Sequence, residues 1–383
     1  MDMHIVHLVT RLLRAGSEEN TLETCRWQAQ AGHRVTLLHG ADFDTWWYDN
    51  PVPGVELVRV PPLVHRLDPR SDWRALAALR RLYRALRPDV IHTHQSKAGI
   101  LGRRASDAVP AARVVHGIHI VPFHGVDAVR RALYLAAERR AALRTDLFIA
   151  VSEAVGQAYV EAGIARPDQV HCVRSGMDLH RFRAAVPPSD WRALLRLRPG
   201  DAKPPVAVML ASFEPRKRHL PFLRSFARAA RGDARLLLAG QGPGEAALRA
   251  EIRALGMQDR VILCGYRPDP EALLALADLS VLASVREGLP RVVVQSLAAR
   301  TPVLVSDLPG ISEVVRDGVN GRIRPSGDLD GLAARLVDLL ADRRALDELR
   351  RGAATTDLSD WQLEELGRRT TELYQMPTER RVA

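Results

Sequence analysis

Two doubly wound α/β domains facing a central cleft are the fold class that this sequence predicts, and three observations carry the prediction. The chain has 383 residues, more than one core of usual size accommodates. Short apolar runs alternate with helical patterns along its whole length, and strands that are apolar almost throughout imply parallel sheets covered on both faces. The alternation breaks once, at "AAVPPSDWRALLRLRPGDAKPP", where paired prolines flank a short helix as in a linker. The expected division is a first domain over 1–183, a linker over 184–203, a second domain over 204–355, and a C-terminal helix over 356–376 that packs back on the first domain.

Taken in order, the strand candidates of the first half are "HIVHLVT", "RVTLLHG", "VELVRV", "DVIHTH", "ARVVHGI", "LFIAVS" and "VHCVRSG". Amphipathic stretches separate them. In "DWRALAALRRLYRALR", Trp73, Leu76, Leu79, Tyr83 and Leu86 recur at helical spacing and predict one apolar face. After the break come "PVAVMLASF", "RLLLAGQG", "RVILCGY", "LSVLASV", "PVLVSDL" and "GRIRP". In such sheets ligands sit beyond the carboxyl ends of the strands, so the loops after each strand are where chemistry is expected.

Composition narrows the function classes. With 46% hydrophobic and 26% charged residues the chain is globular. No apolar run approaches the roughly 20 residues that span a bilayer, and "MDMHIVHLVT" does not read as a signal peptide. Cys25, Cys172 and Cys264 are widely spaced and form no CxxC, as in a reducing compartment. A cytoplasmic protein is expected. The net charge of +10 suits nucleic acid, anionic lipid or phosphorylated small molecules, although arginine is plentiful everywhere.

The stretch "EGLPRVVVQSLAART" places Glu287 before Gly288, Leu289 and Pro290, where "SVLASV" gives way to a helix. A helix N-terminus offers unpaired N–H groups and suits an anion. Glu287 beside it can accept hydrogen bonds from ligand hydroxyls, or simply face the helix dipole. Gln295, about two helical turns on, is read as sharing a face with that mouth, where an amide pairs with neighbouring hydroxyls or with backbone. "ASFEPRKRHLPF" sets Arg216, Lys217 and Arg218 after a strand, which fits a diphosphate or a solvated basic loop. Gly240, Gly242 and Gly244 form a turn near a phosphate or base but do not match a dinucleotide fingerprint. Gly16 and Ser17 open a helix where bare backbone can approach a phosphate. His92 and His94 share a strand face, and a metal set with His116, His119 and His124 lacks the cysteine or carboxylates to complete it. Asp328 and Asp330 read as a helix cap. No metal is implied.

Together, "EGLPRVVVQSLAARTPVLVSDLPGISEVVRDGVNGRI", the Gly16 loop, "HTHQSKAGILGRRA" and "RSGMDLHRF" resemble the retaining glycosyltransferases of family 4, which have the GT-B fold of two Rossmann-like domains. The resemblance spans nearly the whole chain in the expected order. It implies that Glu287 contacts the donor sugar, that Gln295 stands where the family's second acid binds the ribose, that His119 lies near the reaction centre, and that Lys217 binds the diphosphate. Gly16, Ser17, Ser212, Arg216, Gly242, Tyr266, Gly288, Leu289 and Pro290 are the further donor-side positions, and His94, Ser96 and Lys97 lie on the acceptor side. Three departures stand out: Ser212 replaces an arginine, Ala15 the first glycine of a Gly-Gly pair, and Ser175 an asparagine.

The expected function is transfer of a sugar from a nucleotide diphosphate sugar, a UDP-sugar ahead of a GDP-sugar, to an acceptor hydroxyl. No cofactor or metal is expected, and polysaccharide, glycolipid or glycoside biosynthesis is the expected setting. Two rivals remain: an epimerase or phosphorylase acting on nucleotide sugars with the same fold, and a basic polyanion-binding protein without turnover. No nucleic-acid motif is present and aromatics make up only 5% of the chain, so nucleic acid is not an expected partner. Arg74, Arg81 and Arg84 fall on one side of their helix and "VRRALYLAAERRAALR" adds a second basic segment, which makes an anionic membrane surface a further expected partner.

Overall fold

The computed structural model of the chain describes residues 2–14 and 16–377, so Ala15 lies outside the described residues. Seven strands, β1 (His4–Val9), β2 (Arg34–His39), β3 (Val55–Arg59), β4 (Val90–His94), β5 (Arg113–Ile118), β6 (Leu147–Ala150) and β7 (Val170–Cys172), form one parallel sheet in the order β3-β2-β1-β4-β5-β6-β7. Six more, β8 (Val206–Leu210), β9 (Arg235–Ala239), β10 (Val261–Gly265), β11 (Leu279–Leu282), β12 (Val303–Ser306) and β13 (Gly321–Arg324), form a second in the order β10-β9-β8-β11-β12-β13. Every strand expected from the sequence is present. In each sheet the order reverses once, between β1 and β4 and between β8 and β11. Those reversals are where doubly wound sheets bind ligands.

Each sheet is covered on both faces, which is why its strands are apolar at nearly every position. In the first, Val6, Leu8 and Ile91 pack with Leu76, Leu79 and Tyr83 of the helix Pro69–Leu86. Ile5, Val90, Val115 and Leu147 face the other way, toward Leu366 and Tyr374 of the last helix, Leu363–Gln375. Gly367 of that helix meets the helix Gly16–Gln30 so closely that a Cβ there would stand 2.2 Å from Cγ of Trp27. Between the helices Ser96–Ala105 and Ala128–Ala142, Arg103 and Glu138 pair at 2.6 Å with no solvent exposure.

The chain divides into Met1–Met177 with Asp360–Ala383, and Asp178–Ser359. The expected boundary at 183 is therefore corrected to 177. Leu179 and Phe182 of the short helix Leu179–Arg183 are buried in the second unit, and Arg181 pairs with Glu271 at 2.7 Å. The stretch 184–203 is not a free tether either, since Leu195 is fully buried and Arg196 donates to the Gln258 carbonyl. Trp73 is a second correction: it is 73% exposed, because it falls at the edge of the stripe centred on Leu79 and Tyr83, on the side of Arg84. No helix among the described residues is long and apolar enough to cross a membrane.

Candidate active site

In the second unit the candidate site grows from two neighbouring strands. β8 runs into a turn over residues 211–218 and β11 into one over 283–290. Because β8 and β11 pair in parallel, both turns leave the sheet at the same end. The Val285 N–H donates to the Arg216 carbonyl at 3.0 Å and joins the two turns. Pro215 starts a single 3-10 turn, Pro215–Lys217, that swings both cations toward the second loop.

Glu287 lies between those cations. Arg216 donates to its Oε2 at 2.9 Å, and Lys217 Nζ contacts its Oε1. Arg216 also holds Glu214 at 2.9 Å. The side chains of Lys217 and Glu287 are only 12% and 10% exposed. Burial by itself would raise the Glu287 pKa, but the Lys217 and Arg216 charges outweigh it and hold the carboxyl below the usual carboxylate range. Burial pushes the Lys217 ammonium below its ordinary value, with Glu287 opposing. The arrangement is a buried carboxylate kept ionised by two cations. Arg218 takes no part: it is tied to the carbonyls of Ala283 and Ser326.

The glycine turn packs against the same strand end. A Cβ on Gly240 would stand 2.1 Å from the Ala211 carbonyl oxygen, one on Gly242 2.9 Å from Phe213 N, and one on Gly244 2.8 Å from the Phe213 oxygen. These glycines let residues 240–244 lie against the half-buried Ser212, with Phe213 N–H bonded to the Gln241 carbonyl at 2.9 Å. Gly288, Leu289 and Pro290 are buried, and Pro290 caps the helix Arg291–Ala298. Glu287 therefore sits in a loop, and its separation from Gln295 is not two helical turns as expected. Gln295 is one turn into the helix and half-buried, and its amide has no partner among the described residues. Tyr266, after β10, is 48% exposed.

In the first unit, Gly16 and Ser17 begin the helix Gly16–Gln30, the first helix after β1, and Ser17 donates to Glu18. Glu18, which sequence reading missed, is 2% exposed, and burial raises its pKa. Gln95 follows β4 with φ 63° and accepts from Thr10 N at 2.9 Å and Arg11 N at 3.3 Å, joining the loops at the other strand-order reversal. Ser96 opens the next helix. The Lys97 ammonium is engaged by Asp72 at 2.6 Å and by the Arg66 carbonyl. His94 ends β4 and bonds His119, in the loop after β5, at 3.0 Å.

The histidines gather differently from the set read in the sequence. His7, His92 and His94 bring ligand-type nitrogens within 4.8 Å of one another. Register explains it: His7 on β1 pairs with His92 on β4, and alternate residues of a strand share a face. His7 Nδ1 and His94 Nε2 already satisfy each other at 3.0 Å, so a metal would have to break that bond. His116 faces the opposite side, against the Thr93 carbonyl at 3.1 Å.

Two family models match the chain. Residues 14–181 match "Glycosyltransferase Family 4" and residues 198–356 match "Glycosyl transferases group 1". The chain is 26% identical over 295 residues to the UDP-Gal:alpha-D-GlcNAc-diphosphoundecaprenol alpha-1,3-galactosyltransferase of Escherichia coli, covering 74% of each protein. It is 31% identical over 290 residues to the D-inositol 3-phosphate glycosyltransferase of Thermobispora bispora, covering 71% of this chain and 67% of that one. Among solved structures, the fold is similar to Anabaena HepE crystallised with UDP and glucose, at TM-score 0.78, 21% identity and coverage of 97% and 99%. It is also similar to the sucrose-phosphate synthase of Thermosynechococcus elongatus, at TM-score 0.80, 20% identity and coverage of 97% and 98%.

Proposed function

Because the chain belongs to the family 4, group 1 glycosyltransferases of the GT-B fold, we propose that it moves a sugar from a nucleoside diphosphate, UDP ahead of GDP, to an acceptor hydroxyl with retention and without a metal. The observation that carries this reading is the ion-paired cluster of Glu287, Arg216 and Lys217 at the strand-order reversal of the second sheet. A diphosphate draws both cations to itself and releases the Glu287 carboxylate to accept from sugar hydroxyls. As the bond between the sugar C1 and the diphosphate oxygen breaks, negative charge grows on the leaving phosphate, where fixed cations are worth most. The acceptor oxygen bonds C1 on the same face, and its proton passes to the departing phosphate. Ser212 supplies no charge, so Lys217 and Arg216 carry the neutralisation. Gln295 offers one acceptor and two donors to a ribose. The UDP-Gal donor in the Escherichia coli protein's name and the UDP crystallised with HepE favour a UDP-sugar donor, and the Escherichia coli protein's diphosphoundecaprenol substrate favours a lipid-linked acceptor in surface polysaccharide or glycolipid synthesis.

Lys217→Ala weakens binding of the free nucleoside diphosphate by about tenfold or more, the scale of a lost charge-assisted contact, and binding of the nucleoside much less. Calorimetry on both ligands checks this, and equal losses argue against a diphosphate role for Lys217. The anomeric coupling constant of the product, read by NMR, tests retention.

The same reading includes peripheral seating on anionic lipid. Arg74 and Arg81 line an open groove of about 990 Å³ with Arg59, Pro61, Pro62 and the exposed Trp73. In the same unit, Val129, Leu133 and Leu143 are 70%, 66% and 62% exposed among arginines. Each basic residue near an anionic surface contributes about 1 kcal/mol. Co-sedimentation with liposomes is expected to require anionic lipid, to fade as salt rises, and to vanish when Arg74, Arg81 and Arg84 are reversed to Glu together, with nucleotide binding spared. A protein that stays in the supernatant at low salt is not a membrane-seated enzyme.

A further inference from the structure

Behind His119 lies a chain of buried hydrogen bonds whose direction is forced at every link. The Thr371 hydroxyl donates to the Gly367 carbonyl at 2.8 Å, so its oxygen can only accept from Gln28 Nε2, at 3.3 Å. That orientation turns Gln28 Oε1 toward His7 Nε2, at 2.8 Å, and an amide oxygen only accepts. His7 therefore carries its proton on Nε2 and offers the bare Nδ1 to His94 Nε2, at 3.0 Å. His94 in turn offers its bare Nδ1 to His119 Nε2, at 3.0 Å. Each imidazole passes the same tautomer to the next.

The chain runs from the last helix to the neighbouring helix Gly16–Gln30 and on into the strands β1 and β4 that both helices cover. His7 and Gln28 are fully buried, His94 is 3% exposed and Thr371 5% exposed. Gly117 makes the last link sterically possible, since a Cβ there would stand 2.8 Å from His94 Nδ1. Burial keeps the imidazoles neutral at physiological pH, with His7 lowered to about 4 and His94 well below its usual range. His92 stands outside the chain with Nδ1 on the Tyr374 hydroxyl at 2.6 Å.

We propose that Gln28, His7 and His94 are positioning residues that hold His119 in a fixed orientation as the Nε2–H tautomer for the transfer reaction. The proposal rests on the reading above that His119 borders the reaction centre. None of these residues touches the reacting atoms. Their effect is on which nitrogen of His119 carries the proton and where its ring points, a mechanism by which a partner two shells away governs a histidine.

The test is ¹⁵N-histidine NMR of the full chain with steady-state kinetics. In wild type, His7 and His94 are expected neutral with the proton on Nε2, and His119 is expected to carry a proton on Nε2. Gln28→Leu removes the acceptor that starts the order, so His119 becomes a mixture of tautomers and kcat falls about tenfold while donor KM changes less than roughly twofold. Gln28→Glu keeps an acceptor toward His7 and restores both. Thr371→Val, which frees the Gln28 amide to turn, gives the same tautomer shift in a variant that leaves the histidines intact. A proton on His119 Nδ1 in wild type overturns the proposal. So does a His119 tautomer unmoved by both Gln28→Leu and Thr371→Val, or one that moves with kcat unchanged. The spectra need no substrate and judge the chain alone; His119→Ala with intact transfer would instead sink the placement of His119 at the reaction centre and leave the order of protons in place.

Discussion

Glu287→Ala lowers sugar transfer by about 10² or more, the scale of losing a group aimed at the transition state, and the protein remains folded. The carboxylate ion-pairs directly with both Arg216 and Lys217, so its removal takes a counter-ion from each cation together with the acceptor for the sugar hydroxyls. Folding tolerates the change because Arg216 keeps Glu214, at 2.9 Å. Glu287→Gln is expected to fall nearly as far, since a neutral amide retains one acceptor and cannot balance two positive charges. Transfer assays beside thermal melts decide the matter. Near-normal turnover in Glu287→Ala would remove the donor-site assignment.

Glu138→Ala destabilises the protein by about 3–5 kcal/mol, because it leaves the Arg103 guanidinium buried without its counter-ion. Arg103 and Glu138 are both fully buried, and besides Glu138 the guanidinium has the Gly99 carbonyl at 2.8 Å and the Phe148 ring 6.0 Å away. The pair holds the helix Ser96–Ala105 to the helix Ala128–Ala142 and so supports the backbone beside Ser96 and Lys97. Replacing both residues by apolar ones of similar size, Arg103→Met with Glu138→Leu, is expected to recover most of the loss, since a buried ion pair is barely more stable than good packing. Urea unfolding of the single and double variants measures this. A Glu138→Ala midpoint equal to that of wild type would show that the pair is not a closed, desolvated unit.

Sequence pattern alone marked the thirteen strands of the described residues and the order in which they alternate with helices. It did so because a parallel strand covered on both faces must be apolar at nearly every position, a pattern that needs no partner to be read. It also carried the loop chemistry of Glu287, Arg216 and Lys217, because a Gly or Pro at a strand end marks a turn wherever the turn points. The C-terminal helix was legible as a last helical stretch after the second domain, whereas the close approach of Trp27 to Gly367 within it was not.

Tertiary structure decided what depends on neighbours. That Glu287 is paired with both cations follows from β8 and β11 being adjacent, although some seventy residues separate the loops in the chain. That Lys97 serves Asp72, and that Arg218 serves two carbonyls, follows from which helix or loop is packed alongside. Trp73 fits an apolar repeat and is exposed because a repeat fixes spacing and leaves the angular edge of the stripe to the partner surface. The boundary at 177 is set by where Leu179 and Phe182 find a core. His7 shows the difference most directly: nothing near it in sequence marks it, and only the pairing of β1 with β4 brings it to His94. Local pattern records which residues must be buried or turned, while the identity of their partners is a property of strand order, and strand order is fixed by the whole chain folding at once.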